Sequence, residues 1–217
     1  FNVGSPGIDG IRRLSLLDRL ALETALGYRF QRVNLLVTFH PVTLDARSSE
    51  SQVRSLLDAL DRLGNDVGVV FTLPNADPEG RAVAGVIEDY VAGRPHARAF
   101  ASLGQLRYLS LMAQVDAVVG NSSSGLYEAP TIGTPTVNIG DRQRGRLQAS
   151  SVVNCEPEAN AIVSAIDKAL ALDTKGVVNP YGDGYSAGRI RDCLKAIPDF
   201  RALLQKRFFD IPEATRV

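Results

Sequence analysis

Methionine is nearly missing from this chain: Met112 is the only one in 217 residues, and the first residue is Phe1. The chain is therefore expected to be a piece of something longer. Cysteine is almost as scarce. Cys155 and Cys193 stand far apart and without metal-ligand spacing, so a reducing, cytoplasmic setting is expected, with no metal. An excess of one charge is also absent, because 24 Lys+Arg offset 24 Asp+Glu. Such a chain is a poor partner for nucleic acid or a membrane surface. No apolar run approaches the ~20 residues of a membrane span, and no signal-peptide pattern is present. Internal repeats and low-complexity segments are missing as well.

What is present is an ordinary globular composition, 45% hydrophobic and 22% charged. Its length suits one large domain, or one domain with attached helices. Apolar, β-branched runs fall at 33–38, 67–72, 97–101, 115–119, 135–139 and 150–153. Helical patterns lie between them at 49–63, 79–92, 105–114, 122–132 and 157–172. Strands alternating with helices predict an α/β fold, a Rossmann-like parallel sheet flanked by helices. Ligands of such sheets sit outside the strand carboxyl ends. Thr38, Asn75, Ser102, Gly120 and Gly140 are all expected at those ends. The flanks differ. A strand-like Phe1-Asn2-Val3 precedes the turn-rich Gly4-Ser5-Pro6-Gly7, and one helical pattern is expected from Ile11 through Leu26. After Leu172 comes a Gly/Pro/Tyr-rich loop, then apolar spacing from Ile190 to Leu204 that needs a surface to cover.

The most informative stretch is 119–146, VGNSSSGLYEAPTIGTPTVNIGDRQRGR. It reads as a buried strand, a small-residue turn, a short helix, a second strand and an arginine-bearing loop. Asn121, Ser122 and Ser123 would present hydroxyls and N–H groups at the helix start, where the dipole favours an anion. Glu128, inside the same helix, could accept hydrogen bonds from the vicinal hydroxyls of a ribose. Arg142, Arg144 and Arg146 could reach the same anion, with Arg142 nearest the strand end. Phosphate donors, a diol acceptor and cations so close together suggest a nucleotide-diphosphate site. Plainer roles stand beside these. The serines could cap a helix, Glu128 and the arginines could be solvated charges, and His40 could be a hydrogen-bonded structural residue.

FHPVT, LPNAD, the 119–146 block and NPYGDG occur in one order along the chain. Together they resemble the C-terminal domain of the hydrolysing UDP-N-acetylglucosamine 2-epimerases of sialic-acid-type pathways, from Gly4 to about Phe209. The resemblance implies the C-terminal half of a two-domain GT-B fold. Residues 1–10 would be an interdomain junction and 11–172 the nucleotide-binding domain. Residues 173–217 would hold a loop and helices packing back toward an N-terminal domain. By the same resemblance Ser122 and Ser123 bind the diphosphate, Glu128 the ribose, and Arg142 the nucleotide. Ser102 and Leu103 offer a backbone contact to the base, and His40 faces the cleft as the catalytic candidate.

His40-Pro41-Val42-Thr43 favours the hydrolysing branch over the non-hydrolysing one, which carries a His-Arg-rich segment there. Asn75 matches a position near a feedback site of some animal members. The basic residues expected after it are Pro78-Glu79-Gly80 here, so that regulation is not carried over. The implied chemistry is elimination of UDP to a glycal, then hydration to N-acetylmannosamine. It needs no cofactor, takes UDP or a UDP-sugar as its partner, and belongs to a homo-oligomeric full-length enzyme. A GT-B glycosyltransferase remains an alternative, as does an epimerase of a GDP-linked or di-N-acetylated sugar.

Overall fold

The computed structural model describes residues 1–42 and 48–205. Thr43 of the His40-Pro41-Val42-Thr43 segment and residues 206–217 lie outside the described residues. The strands are β1 (Val33–Thr38), β2 (Val67–Thr72), β3 (Ala97–Phe100), β4 (Ala117–Gly120), β5 (Thr136–Ile139) and β6 (Val152–Cys155). They form one parallel six-stranded sheet in the order β3-β2-β1-β4-β5-β6. β1 and β2 are almost wholly buried apolar runs, as a parallel sheet covered on both faces requires. The chain winds outward from β1 to β3, then returns to place β4 beside β1. That reversal opens a crevice at the strand ends.

The helices are α1 (Pro6–Arg13), α2 (Arg19–Leu26), α3 (Ser49–Arg62), α4 (Pro78–Val91), α5 (Gly104–Gln114), α6 (Ser124–Tyr127), α7 (Ala129–Ile132), α8 (Ala159–Leu170) and α9 (Ser186–Lys195). α3, α4 and α8 cover one sheet face, and α2, α5 and α7 the other. Val53, Leu56 and Leu60 repeat at helical spacing on α3 and are buried. Each such side chain contributes roughly 1.5–3 kcal/mol on leaving water. α1 and α9 are joined by Asp9, whose carboxylate accepts from the Ser186 N–H at 2.9 Å, the Ser186 hydroxyl at 2.8 Å and the Ala187 N–H at 2.7 Å. Those bonds satisfy orphan donors at the start of α9 from another helix.

Thr38 and Gly120 end their strands, and Asn75, Ser102 and Gly140 follow theirs within three residues, all on the same sheet edge. Three local expectations need correction. Phe1-Asn2-Val3 is not a strand, and the first helix starts at Pro6, whose fixed φ is preset for a helix N-terminus. The 11–26 pattern is two helices: Leu14 turns extended, and Asp18 caps α2 by accepting from Ala21 N–H at 2.8 Å. The expected 122–132 helix breaks at Glu128, which ends α6 and starts α7. Pro130 explains that break, since its ring and missing N–H cannot continue an interior turn.

Candidate functional site

The site begins with a close backbone approach. Gly120 ends β4 with φ 139°, and a Cβ there would lie 2.0 Å from the Thr38 carbonyl oxygen. Only glycine lets the two central strand ends run this close. The next residue, Asn121, is fully buried. Its Oδ1 accepts from the His40 N–H at 2.7 Å and its Nδ2 donates to the His40 carbonyl at 2.8 Å. Its own N–H donates to Thr38 O at 3.2 Å. Arg142 Nη1 and Gln143 Nε2 both donate to its carbonyl, at 3.1 and 2.7 Å. Asn121 was expected to touch ligand, but its side chain is spent on the His40 backbone. Its place is that of a scaffold.

A cavity of about 380 Å³ lies over the β1–β4 reversal, and its walls include His40, Ser102, Leu103, Ser122 and Glu128. Five of the expected residues therefore meet in one space. Leu103 is buried in the α2–α5 core, so only its backbone can face a ligand. The Ser102 hydroxyl accepts from Gly104 N–H at 3.3 Å, at the start of α5. The N–H groups of Ser122 and Ser123 make no hydrogen bond among the described residues, leaving both as free donors. Neither serine side chain caps the helix that follows, although Ser122 Oγ accepts from Ser124 N–H at 3.3 Å. α6 has only four residues, so an anion here would rest on individual donors rather than on a macrodipole.

The arginines part company. Arg142 lies against the Asn121 carbonyl, and burial and then Arg146 lower its pKa from the ordinary value. Arg146 lines a second cavity of about 380 Å³ with Ser123, Glu128, Tyr127 and Tyr181. Arg144 turns away, paired with Asp141 at 2.5 Å on the exposed side of the loop, so the expected convergence of all three fails. His40 shares a further cavity of about 430 Å³ with Asn75, Asp77 and Arg142. Burial chiefly, and then Arg142, lower the His40 pKa, while Asp77 pulls the other way. That balance favours a neutral imidazole near pH 7, suited to accepting a proton or donating one hydrogen bond.

Tyr108 escaped the sequence reading, and Ser124 was seen there only as one serine of the turn. Tyr108 on α5 donates its hydroxyl to Ser124 Oγ at 2.7 Å, and Ser124 donates to Glu128 Oε2. A tyrosine on an otherwise apolar helix face, whose hydroxyl must find a partner, is the signal that could have found them. Among the described residues no cluster of three His, Cys, Asp or Glu could hold a metal ion. None of the described helices is long and apolar enough to cross a membrane.

A family model described as UDP-N-acetylglucosamine 2-epimerase matches residues 1–195. The chain is 35% identical over 217 residues to a Campylobacter jejuni protein named GDP/UDP-N,N'-diacetylbacillosamine 2-epimerase (hydrolyzing), covering 97% of this chain and 56% of that one. It is 30% identical over 206 residues to the UDP-N,N'-diacetylbacillosamine 2-epimerase (hydrolyzing) of Legionella pneumophila, covering 95% and 54%. A solved structure of the Methanocaldococcus jannaschii UDP-GlcNAc 2-epimerase in complex with UDP-GlcNAc and UDP is similar with a TM-score of 0.66 at 14% identity, covering 90% of this chain and 54% of that one. At that identity the likeness carries the fold alone. The chain spans about half the length of the curated relatives it matches.

Proposed function

The chain belongs to the UDP-N-acetylglucosamine 2-epimerase family, and we propose that it is the nucleotide-binding half of a hydrolysing UDP-sugar 2-epimerase. The observation that carries this reading is the single cavity bringing His40, Ser102, Leu103, Ser122 and Glu128 together at the β1–β4 reversal. Ser122 and Ser123 hold the diphosphate through their free N–H groups and hydroxyls, with Arg142 at the nucleotide. Glu128 takes the ribose diol. The backbone at Ser102 and Leu103 meets the base.

The reaction is loss of the C2 proton and the anomeric diphosphate to give a glycal and UDP, followed by addition of water to the glycal. Negative charge grows on the departing diphosphate, and donors aimed at it stabilise the transition state. His40 is the catalytic residue of this half, facing the breaking sugar–diphosphate bond. Carboxylates against C2 would come from the half of the relatives' length that this chain does not span. UDP-N-acetylglucosamine is the first substrate choice. The names of the two diacetylbacillosamine relatives favour a second, a di-N-acetylated UDP-sugar in the same cleft.

Calorimetry tests the binding. UDP should bind the chain, and Glu128→Ala should cost on the order of 1–3 kcal/mol by leaving ribose hydroxyls unpaired. Equal affinity for the two proteins removes the ribose role. The chain alone should release no 2-epimerised sugar from either UDP-sugar. Detectable turnover would place the base in this half instead.

A further inference from the structure

We propose that Ser124 and Tyr108 are positioning residues for Glu128, the two links of a hydroxyl relay that fixes which carboxylate oxygen faces the nucleotide. The inference rests on the ribose role given to Glu128 above. Tyr108 donates to Ser124 Oγ at 2.7 Å, and Ser124 donates to Glu128 Oε2.

Chemistry fixes the direction of this chain. A carboxylate only accepts, and each hydroxyl carries one hydrogen. Ser124 therefore gives its hydrogen to Glu128 and accepts from Tyr108. Both hydroxyls point toward the carboxylate, and such ordered chains strengthen their own members. Burial holds the phenol of Tyr108 in its protonated, donating form, raising its pKa. Oε2 is thus tied inward to the fold. Oε1 has no hydrogen bond among the described residues, and Glu128 lines the cavity with Ser122 and His40. Of the serines following Asn121, the third serves the carboxylate rather than the phosphate. Its role is to spare Glu128 the rotamer freedom it would lose on binding a diol.

The test is the ratio of affinities for UDP and 2′-deoxy-UDP, measured by calorimetry on the whole chain. Wild type should favour UDP by roughly tenfold or more, the weight of one hydrogen bond to a carboxylate. Ser124→Ala should still bind UDP but cut the preference to about threefold or less. Tyr108→Phe keeps the ring and removes only the donor, so it should give an intermediate ratio and stands in if Ser124→Ala does not fold. An unchanged ratio in the folded variants overturns the inference. So does an equal loss for both ligands, which is what a merely structural contact predicts. No UDP binding by wild type, or a wild-type ratio in Glu128→Ala, overturns the proposed function instead.

Discussion

Replacing Gly120 by alanine should break the site by moving the strand end that carries it. The new Cβ would lie 2.0 Å from the Thr38 carbonyl oxygen and 2.8 Å from its carbonyl carbon. Comfortable carbon contacts are about 3.5 Å or more, so the backbone must yield by more than an ångström. The φ of 139° adds backbone strain of order 1–3 kcal/mol. Forcing volume into a packed position adds about 1–3 kcal/mol. Loss of the Asn121 N–H bond to Thr38 O adds about 0.5–1.5 kcal/mol. The sum, about 2.5–7.5 kcal/mol, would consume much of a domain's typical stability of about 5–15 kcal/mol. Gly133→Ala is the matched control. Its φ is 92° but nothing lies within 4 Å of the added Cβ, so it should cost only the strain, about 1–3 kcal/mol. Urea melts with an unchanged m-value read both. If Gly120→Ala falls within about 1 kcal/mol of Gly133→Ala, well inside the summed contact cost, the close approach does not matter and the reasoning fails.

Two further outcomes follow from charge. By NMR titration the His40 imidazole should lose its proton below the ordinary histidine value of ~6.5, with Arg142→Ala raising that midpoint and Asp77→Asn lowering it further. Because the folded value is depressed, stability should fall as pH drops from ~6.5 toward that midpoint, where the unfolded chain binds the proton first. A midpoint above the ordinary value, or one unmoved by Arg142→Ala, contradicts the geometry. The Asp9 carboxylate is held below the aspartate range, first by the Ala187 N–H. Its tie to α9 is therefore present above pH ~3.9 and lost as pH falls through the lower folded value. Hydrogen exchange at the Ser186 and Ala187 amides should quicken at that acid end, and at neutral pH in Asp9→Asn. Protection unchanged by the substitution would show that α9 is held by something else.

The sheet was legible because its strands are continuous apolar runs punctuated by helices, and a parallel sheet buried on both faces leaves that signature. That Ser122, Glu128 and His40 would line one cavity was legible because polar residues past such strands have one crevice to face. The loop after β5 was not. Arg142, Arg144 and Arg146 alternate in sequence, yet one meets the Asn121 carbonyl, one pairs with Asp141 and one joins Tyr127 and Tyr181. A turn redirects side chains without regard to spacing. The relay through Tyr108 was hidden for a different reason. Tyr108 comes from α5 and its partners Ser124 and Glu128 from α6 and its end, and no local period marks residues that meet only in three dimensions.

Asn121 shows how far a site can depend on a residue that need not touch ligand. Its amide gives one donor and one acceptor to the two backbone groups of His40, in the manner of a strand partner. Its N–H fastens it to β1, and its carbonyl gathers Arg142 and Gln143 from the loop after β5. Aspartate would lose the donor and set an acceptor against the His40 carbonyl. Glutamine would carry the same groups one methylene too far in a fully buried position. The requirement for asparagine therefore comes from backbone geometry. Through it the catalytic candidate His40, the switch-point strands and Arg142 are held in one frame.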